Sequence, residues 1–190
     1  MRNMVRETAG FTLIEFMMTA AIIVIGGAAI FGFFTATSNA FVTMTAIGTL
    51  QTQFTQATNV LTQDTRLSFQ TPASCCGGAY TQDLDSQDNQ RSQLILGLPS
   101  VDADGVPLIT GQLDYIVYDF NAATGALRRI VSVDAASSRR NGTSTVARQL
   151  TRVRYNVAVP REVTVTLDGR ATERGRSFQS TLTSRIAFRN

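Results

Sequence analysis

The chain has 190 residues, a length that suggests one domain with an additional segment rather than two full domains. It has no His, and its 17 basic residues are all Arg, which excludes a Ser-His-Asp triad, a His-ligated metal and Lys-based Schiff-base chemistry. Only 16% of the residues are charged, and the 48 residues from Phe16 to Gln63 carry no charge. A solvent-exposed helix of that length would normally have a charged face, so the composition argues against a plain cytosolic globular protein.

The N-terminus combines a short polar segment with a long apolar one. Residues 1–10 are mostly polar, and 18 of the 24 residues from Phe11 to Phe34 are apolar. The uncharged run Phe16–Phe34 would measure about 28 Å as a helix, close to the thickness of a bilayer core. Arg2 and Arg6 predict a cytoplasmic N-terminus, with the rest of the chain across the membrane. A cleaved secretory signal is the alternative, but its apolar region is usually only about 7–15 residues long.

Glu15 is the one charge inside this apolar segment. A carboxylate at membrane depth typically costs a few kcal/mol, so the residue is a candidate functional site. The structural alternative is that its side chain merely reaches the membrane interface. We expect nothing in its own segment to pair with it, so a partner would come from a cleaved N-terminus or a neighbouring subunit.

The residues around Glu15 form a known type of motif. Gly10-Phe11-Thr12-Leu13-Ile14-Glu15, after a short charged leader and before the apolar run, resembles the processing site of type IV prepilins and type II secretion pseudopilins. The resemblance implies that a prepilin peptidase cleaves between Gly10 and Phe11 and methylates the new amine of Phe11. It also implies that Glu15 neutralises the Phe11 amine of an adjacent subunit during assembly on an inner-membrane platform. Two charges that are each costly in lipid attract strongly when paired.

Residues 11–34 are therefore predicted to be a transmembrane and filament-core helix, and residues 35–69 its amphipathic continuation. No Pro occurs before Pro72, and apolar residues recur in steps of three and four. They are Ile47, Leu50, Phe54, Ala57 and Leu61. We expect this upper half to pack on the chain's own domain and the apolar lower half to pack on neighbouring helices in a filament.

Three glycines interrupt the apolar segment: Gly26, Gly27 and Gly32. Each weakens a helix by roughly 1 kcal/mol relative to Ala. They would permit close packing between helices, allow local helix loss in the filament, or simply be tolerated. Many type IV pilins lose helix in this region near a Pro, and this chain has no Pro there.

Residues 70–190 are predicted to form a globular head with about four to six antiparallel strands. Strand patterns occur at Leu94–Leu96, Leu113–Phe120, Ala126–Val133, Val146–Val159, Glu162–Leu167 and Phe178–Phe188. Turns are expected at Asn121–Gly125 and Asp168–Gly169, with a loop over Ala135–Thr145. The predicted fold class is α+β, a long N-terminal α-helix packed on a C-terminal antiparallel β-sheet, which is the order found in pilin-like proteins.

Two further stretches are similar to PilW-like and J-type minor pilins. They are Ser38–Ser68 in the helix and Ser184–Asn190 at the end of the chain. This similarity favours a minor, priming subunit over a major one. Glu15 argues against the K-type tip pseudopilin, which typically lacks that acid.

Cys75 and Cys76 are the only cysteines, in a head that we expect to be exported to a compartment where disulfides persist. Sequence neighbours can form a disulfide only through a strained eight-membered ring. A vicinal disulfide, two free thiols and intermolecular links all stay open. Because an adjacent pair closes no long loop, we expect little stabilisation from it.

Two acidic clusters are candidates for calcium binding. Asp102 and Asp104 lie in an Asp-Ala-Asp-Gly sequence that resembles the start of a calcium loop, and Asp83, Asp85 and Asp88 form a second group. Calcium requires six to eight oxygen ligands, often including a bidentate acid late in the loop. A solvated acidic loop is the default interpretation, and we expect no other cofactor or metal.

The charges of the head are segregated along the sequence. Thr62–Leu127 has eight Asp against two Arg, whereas Arg128–Asn190 has thirteen Arg against four acids. Clustered Arg is sufficient for contacts with DNA phosphates, so DNA is a candidate partner. These Arg side chains would equally line an exposed sheet face or pair with acids.

Together, these features predict a non-enzymatic minor structural subunit of a type IV pilus-like filament, which helps to initiate or cap assembly. It would first be a single-pass protein of the bacterial inner membrane, in contact with lipid, and then join other pilins. The alternatives are a minor pseudopilin of a type II secretion pseudopilus, a pilus-tip module that binds DNA or surfaces, and a single-span membrane protein without a filament role.

Overall fold

The structure is a computed structural model that describes residues 12–82, 91–108, 111–157 and 162–188. They divide into two compact units, one up to Thr43 and the other from Met44 onward. One helix, α1 (Leu13–Leu67), belongs to both units. Nine strands follow it among the described residues: β1 (Ser74–Cys75), β2 (Tyr80–Thr81), β3 (Arg91–Pro99), β4 (Leu113–Asn121), β5 (Ala126–Ser132), β6 (Gly142–Ala147), β7 (Leu150–Asn156), β8 (Glu162–Glu173) and β9 (Arg176–Ala187).

The C-terminal end of α1 is set by Ser68. Its N–H donates to the carbonyls of Asp64 and Thr65, and its hydroxyl donates to the Thr65 carbonyl at 2.8 Å. Pro72 follows four residues later and has no N–H with which to continue a helix. The predicted helix, from Phe11 to about Ser68, therefore agrees closely with the observed one.

All strand pairs are antiparallel. The first large sheet has the order β3-β4-β5-β6, the second has the order β7-β8-β9, and β1 and β2 form a separate short hairpin. A long N-terminal helix that packs, from Met44 onward, on antiparallel sheets confirms the predicted α+β class.

One hydrophobic core joins the helix to both large sheets. Phe54, Ala57 and Leu61 of α1 contribute to it. Leu94, Leu96, Ile116, Tyr118, Leu127, Val153, Tyr155, Val163 and Leu167 are among its members from the two sheets. The predicted stripe is confirmed at Leu50, Phe54, Ala57 and Leu61, whereas Ala46 rather than Ile47 is the buried residue one turn below.

The four-stranded sheet is covered on both faces. Leu94 and Leu96 face the main core, while Ile95 packs with Cys75 and Val117 in a separate cluster under the β1–β2 hairpin. This explains why the apolar residues Leu94–Leu96 of β3 are consecutive rather than alternating with polar ones.

Several strand and turn predictions need correction. Residues 12–82, 91–108, 111–157 and 162–188 contain nine strands in three sheets, not four to six in one, and β6 begins at Gly142, inside the predicted Ala135–Thr145 loop. Asp168–Gly169 is not a turn, because both residues pair within β8. The reversal comes later, at Arg174 and Gly175, whose φ values of 49° and 76° fit a two-residue hairpin loop.

Candidate functional site

The start of α1 is a capping box formed by Thr12 and Glu15. The Thr12 N–H and hydroxyl donate to Oε2 of Glu15 at 3.0 and 2.8 Å, and the Glu15 N–H donates back to the Thr12 hydroxyl at 3.4 Å. Such reciprocal bonds satisfy N–H groups that have no partner within the helix. Glu15 thus has hydrogen-bond partners in its own segment, whereas the expectation that a partner for its charge comes from a cleaved N-terminus or a neighbouring subunit stays a prediction. The spacing Thr-x-x-Glu was the sequence signal that would have revealed the pair.

The capping box gives Glu15 hydrogen bonds but no opposite charge. Thr12 is neutral, so its hydrogen bonds do not offset the negative charge of an ionised Glu15 carboxylate. Gly10 and Phe11, the predicted processing site, lie outside the described residues. The pairing of Glu15 with the Phe11 amine of another subunit stays a prediction.

The helix surface above Glu15 is apolar and exposed. Large side chains there have more than 60% of their surface accessible; they are Leu13, Ile14, Phe16, Met17, Met18, Ile22, Ile23, Val24, Ile25, Ile30, Phe31, Phe33, Phe34 and Phe41. Because Ile22–Ile25 are consecutive, their side chains cover every direction around the helix axis. The segment is long and apolar enough to span a membrane. Apolar surface on all sides is typical of a helix surrounded by lipid or by other helices.

Three threonines in the first part of this helix satisfy their hydroxyls within the chain. Thr19 donates to the Glu15 carbonyl at 2.7 Å, Thr35 to the Gly32 carbonyl at 2.9 Å and Thr37 to the Phe33 carbonyl at 2.9 Å. These bonds to the preceding turn leave little need for water around the uncharged segment. They are therefore compatible with an apolar environment.

Gly26, Gly27 and Gly32 all lie within the continuous helix. A Cβ built at any of them would have no heavy atom within 4 Å. Packing among the described residues therefore gives no reason for glycine at these positions. Close approach by another helix and helix loss in a filament both stay predictions.

Cys75 and Cys76 are two thiols whose Sγ atoms are 2.8 Å apart. Cys75 ends β1 and its side chain is buried, whereas the next residue, Cys76, is half-buried. Burial, reinforced by the neighbouring Cys76 thiol, raises the pKa of Cys75 to about 12.

The candidate calcium loop is closed by its own backbone. Oδ1 of Asp102 accepts hydrogen bonds from the N–H groups of Asp104 and Val106 at 3.0 and 2.8 Å, and Gly105 supplies a left-handed residue with φ of 78°. This is the pattern of an Asx turn. Within the described parts of the chain, no three His, Cys, Asp or Glu side chains come together as a metal site. Asp83, Asp85 and Asp88 lie outside those parts.

Three ion pairs join the acidic stretch of the head to the basic stretch. Asp64 binds Arg129 at 2.6 Å, Asp119 binds Arg128 at 2.6 Å and Asp114 binds Arg139 at 2.8 Å, and all three Asp residues are buried. Part of the charge segregation in the sequence is therefore explained by ion pairs between the acidic and the basic stretch within the folded head. Sequence reasoning did not identify these pairs, because their partners are nine to 65 residues apart.

The pair formed by Asp64 fixes the upper end of α1 to the four-stranded sheet. Arg129 donates to both carboxylate oxygens, at 2.6 and 3.0 Å, and the Tyr118 hydroxyl donates to Oδ2. The hydrogen bond to Asp64 raises the pKa of Arg129, and burial followed by the nearby Asp64 charge raises that of Tyr118. The arrangement holds a charged group in the interior with its partners satisfied.

Comparison of the chain with protein-family models, with curated proteins and with solved structures gives no match. The function is therefore argued from three structural features of this chain. They are an uncharged and exposed helical segment, a carboxylate fixed at its start, and a helix continuation buried against a β head.

Proposed function

We propose that this chain is a minor structural subunit of a type IV pilus-like filament and helps to initiate or cap its assembly. The observation that supports the proposal best is the set of large, exposed apolar side chains on α1 between Leu13 and Phe41, with the capped carboxylate of Glu15 near its start. Such a surface needs lipid or protein around it on all sides. The precursor of a filament subunit is surrounded first by lipid in the membrane and then by protein in the filament.

In this proposal the chain is made as a prepilin in the bacterial inner membrane. A prepilin peptidase removes residues 1–10 and methylates Phe11, as the resemblance of the motif implies. The N-terminus faces the cytoplasm and the head lies on the other side of the membrane, as Arg2 and Arg6 suggest. The subunit then leaves the bilayer as its helix packs against those of other subunits.

Glu15 supplies the register of assembly. Its carboxylate is held at the helix start by Thr12, so its position is set before another subunit arrives. The positive amine of Phe11 on an adjacent subunit then neutralises the charge, which is strongly favourable in an apolar environment. The capping box and the intersubunit pair thus use the same carboxylate for two purposes.

Two substitutions separate these purposes. Glu15→Gln keeps an oxygen that can accept from Thr12 but removes the charge, whereas Thr12→Val keeps the charge but removes the capping hydroxyl. We expect Glu15→Gln to insert normally into membranes and to be absent from sheared filaments. We expect Thr12→Val to be incorporated despite a weaker helix start, which typically costs about 0.5–2 kcal/mol.

The measurements are immunodetection of the subunit in membranes and in filaments, together with mass spectrometry of its native N-terminus. Normal incorporation of Glu15→Gln would refute the charge-pairing role. A mature chain that begins at Met1 would refute the processing step, and so would one cut near Ser38, where Ala36-Thr37-Ser38 loosely matches the cleavage site of a secretory signal. Co-purification with a secretion pseudopilus rather than with a pilus would identify the filament as the alternative one.

A further inference from the structure

The two cysteines project to the same side of the chain, which neighbours in a strand do not normally do. Successive side chains of an extended strand point to opposite faces. Here Cys75 is buried against Ile95 and Val117, and Cys76 packs on the same cluster. Their Sγ atoms are 2.8 Å apart.

A left-handed turn brings the second thiol round to the first. Cys76 has φ of 59°, and Gly77 and Gly78 follow with φ of 69° and 84°. A residue with a Cβ rarely adopts this conformation, so Cys76 is held there against its own preference. The glycines continue the turn without that penalty.

The surrounding hairpin holds this turn in place. Cys75 pairs with Tyr80 and Ser74 pairs with Thr81, and the Gln82 N–H donates to the Ala73 carbonyl at 2.7 Å. The side chain of Gln82 also accepts from the N–H of Ile95 at 3.2 Å, which ties the hairpin to β3. The two thiols are therefore juxtaposed by a framework that extends beyond the pair itself.

Filling the apolar cluster does not account for this geometry. Cys75 alone is fully buried in this cluster, and a half-buried turn residue with φ near 60°, as at Cys76, would ordinarily be Gly or Asn. What a second cysteine adds at this position is a sulfur atom next to the first one.

We propose that Cys75 and Cys76 are a thiol–disulfide pair that closes reversibly into a vicinal disulfide by exchange with an external disulfide. This inference does not depend on the proposed filament role. Its consequence is a redox-dependent constraint on the left-handed turn of the β1–β2 hairpin.

The exchange proceeds in two balanced steps. The more accessible Cys76, as thiolate, attacks a disulfide R–S–S–R, forming a mixed disulfide and releasing R–S⁻, which takes up the proton that Cys76 lost. The Cys75 sulfur then displaces the second R–S group and gives up its own proton to it. The two cysteines lose two electrons in total, and the external disulfide is reduced to two thiols. Cys75 is the poorer entering nucleophile, since burial raises its pKa.

The test uses the full chain in detergent, with oxidised glutathione as the external disulfide. Both cysteines fall in one tryptic peptide, Leu67–Arg91, because no Arg or Lys lies between Arg66 and Arg91. We expect this peptide to lose two hydrogen atoms, to resist iodoacetamide and to regain two reactive thiols after reduction. Persistent glutathione adducts, disulfide-linked dimers or two alkylated cysteines after oxidation would overturn the proposal.

A second measurement examines the reduced protein. Phenylarsine oxide bridges two adjacent thiols and releases one water, so one arsenic should bind per chain and block both cysteines. Cys75→Ser and Cys76→Ser should each lose this bridge. Independent alkylation of both thiols in the presence of phenylarsine oxide would contradict the juxtaposition.

A turn variant tests whether the backbone brings the sulfurs together. Gly77→Ala adds a Cβ in open space at φ of 69°, so it perturbs the left-handed turn without a steric clash. We expect ring closure to slow by about tenfold, with mixed glutathione disulfide accumulating. Gly105→Ala, at φ of 78° and also in open space, is the matched control and should close the ring at the wild-type rate. Equal rates for the two variants would overturn the role of the turn.

Discussion

The two parts of α1 show how one helix, uncharged from Phe16 to Gln63, can present two different surfaces. Between Leu13 and Phe41 the large apolar side chains are exposed, as in Phe31 at 72%, whereas Leu50, Phe54 and Leu61 are at most 2% exposed. The first part is apolar in every direction, and the second has an apolar stripe with Thr, Gln and Asn between its members. Hydrophobic content alone therefore does not predict burial within the chain, but the periodicity of that content does.

Truncating one Phe in each part of α1 tests this difference directly. Phe54→Ala removes a buried ring from the core and should lower the free energy of unfolding of the head by about 3–5 kcal/mol. Phe31→Ala removes an exposed ring and should leave the thermal unfolding of the head unchanged. Circular dichroism melts in detergent would measure both, and equal destabilisation by the two variants would contradict the division.

The sequence predicted the helix and its buried stripe because both follow from local rules. A Pro-free stretch and apolar steps of three and four predict α1 and identify Leu50, Phe54, Ala57 and Leu61 as its inner face. The candidate charge at Glu15 also stood out, because it interrupts an apolar run. Its capping partner Thr12 is equally local, and the Thr-x-x-Glu spacing is the sequence signal for it.

Features that depend on distant partners could not be predicted in the same way. Asp64 looked like one acid among many in a segregated charge pattern, and its contacts with Tyr118 and Arg129 arise only when the sheet packs on the helix. Likewise, Asp168–Gly169 has the composition of a turn. Gly169 is instead in a strand, where the absence of a Cβ allows the helix to approach closely.

That close approach gives the next largest expected effect. A Cβ at Gly169 would lie 2.9 Å from the ring of Phe54 and 3.2 Å from Leu50, so Gly169→Ala should cost about 1–3 kcal/mol of stability through overpacking. Gly142→Ala, in β6 with nothing within 4 Å, is the matched control and should have little effect. Chemical denaturation of both variants would measure the difference.

A double substitution identifies the helix as the cause of the strain at Gly169. In the Phe54→Ala background the two 2.9 Å contacts with the ring are gone and the 3.2 Å contact with Leu50 remains, so Gly169→Ala should cost less than in the wild type. An additive loss in the double variant would show that the cost comes from the strand itself rather than from its contact with the helix.

The smallest expected effects distinguish two buried tyrosines of the core. The Tyr118 hydroxyl donates to Asp64, whereas the Tyr155 hydroxyl has no hydrogen-bond partner among the described residues. Tyr118→Phe should therefore lower the free energy of unfolding by about 1–2 kcal/mol, because it removes a bond to a charged group. Tyr155→Phe should be neutral or slightly stabilising, because it removes a buried polar group that is unpaired.

Alkaline pH provides an independent measurement on the same pair. Burial raises the pKa of both tyrosines, with the Asp64 charge adding to the effect at Tyr118 and the Asp119 charge at Tyr155. The folded protein therefore keeps protons that the unfolded chain loses near pH 10, the ordinary value for Tyr. The stability linked to these protons is fully present below about pH 10 and is lost as the pH rises above it. Each Phe substitution should reduce that loss by about 1.4 kcal/mol per pH unit, and an unchanged slope in Tyr118→Phe would mean that its hydroxyl is not held away from solvent in the folded head.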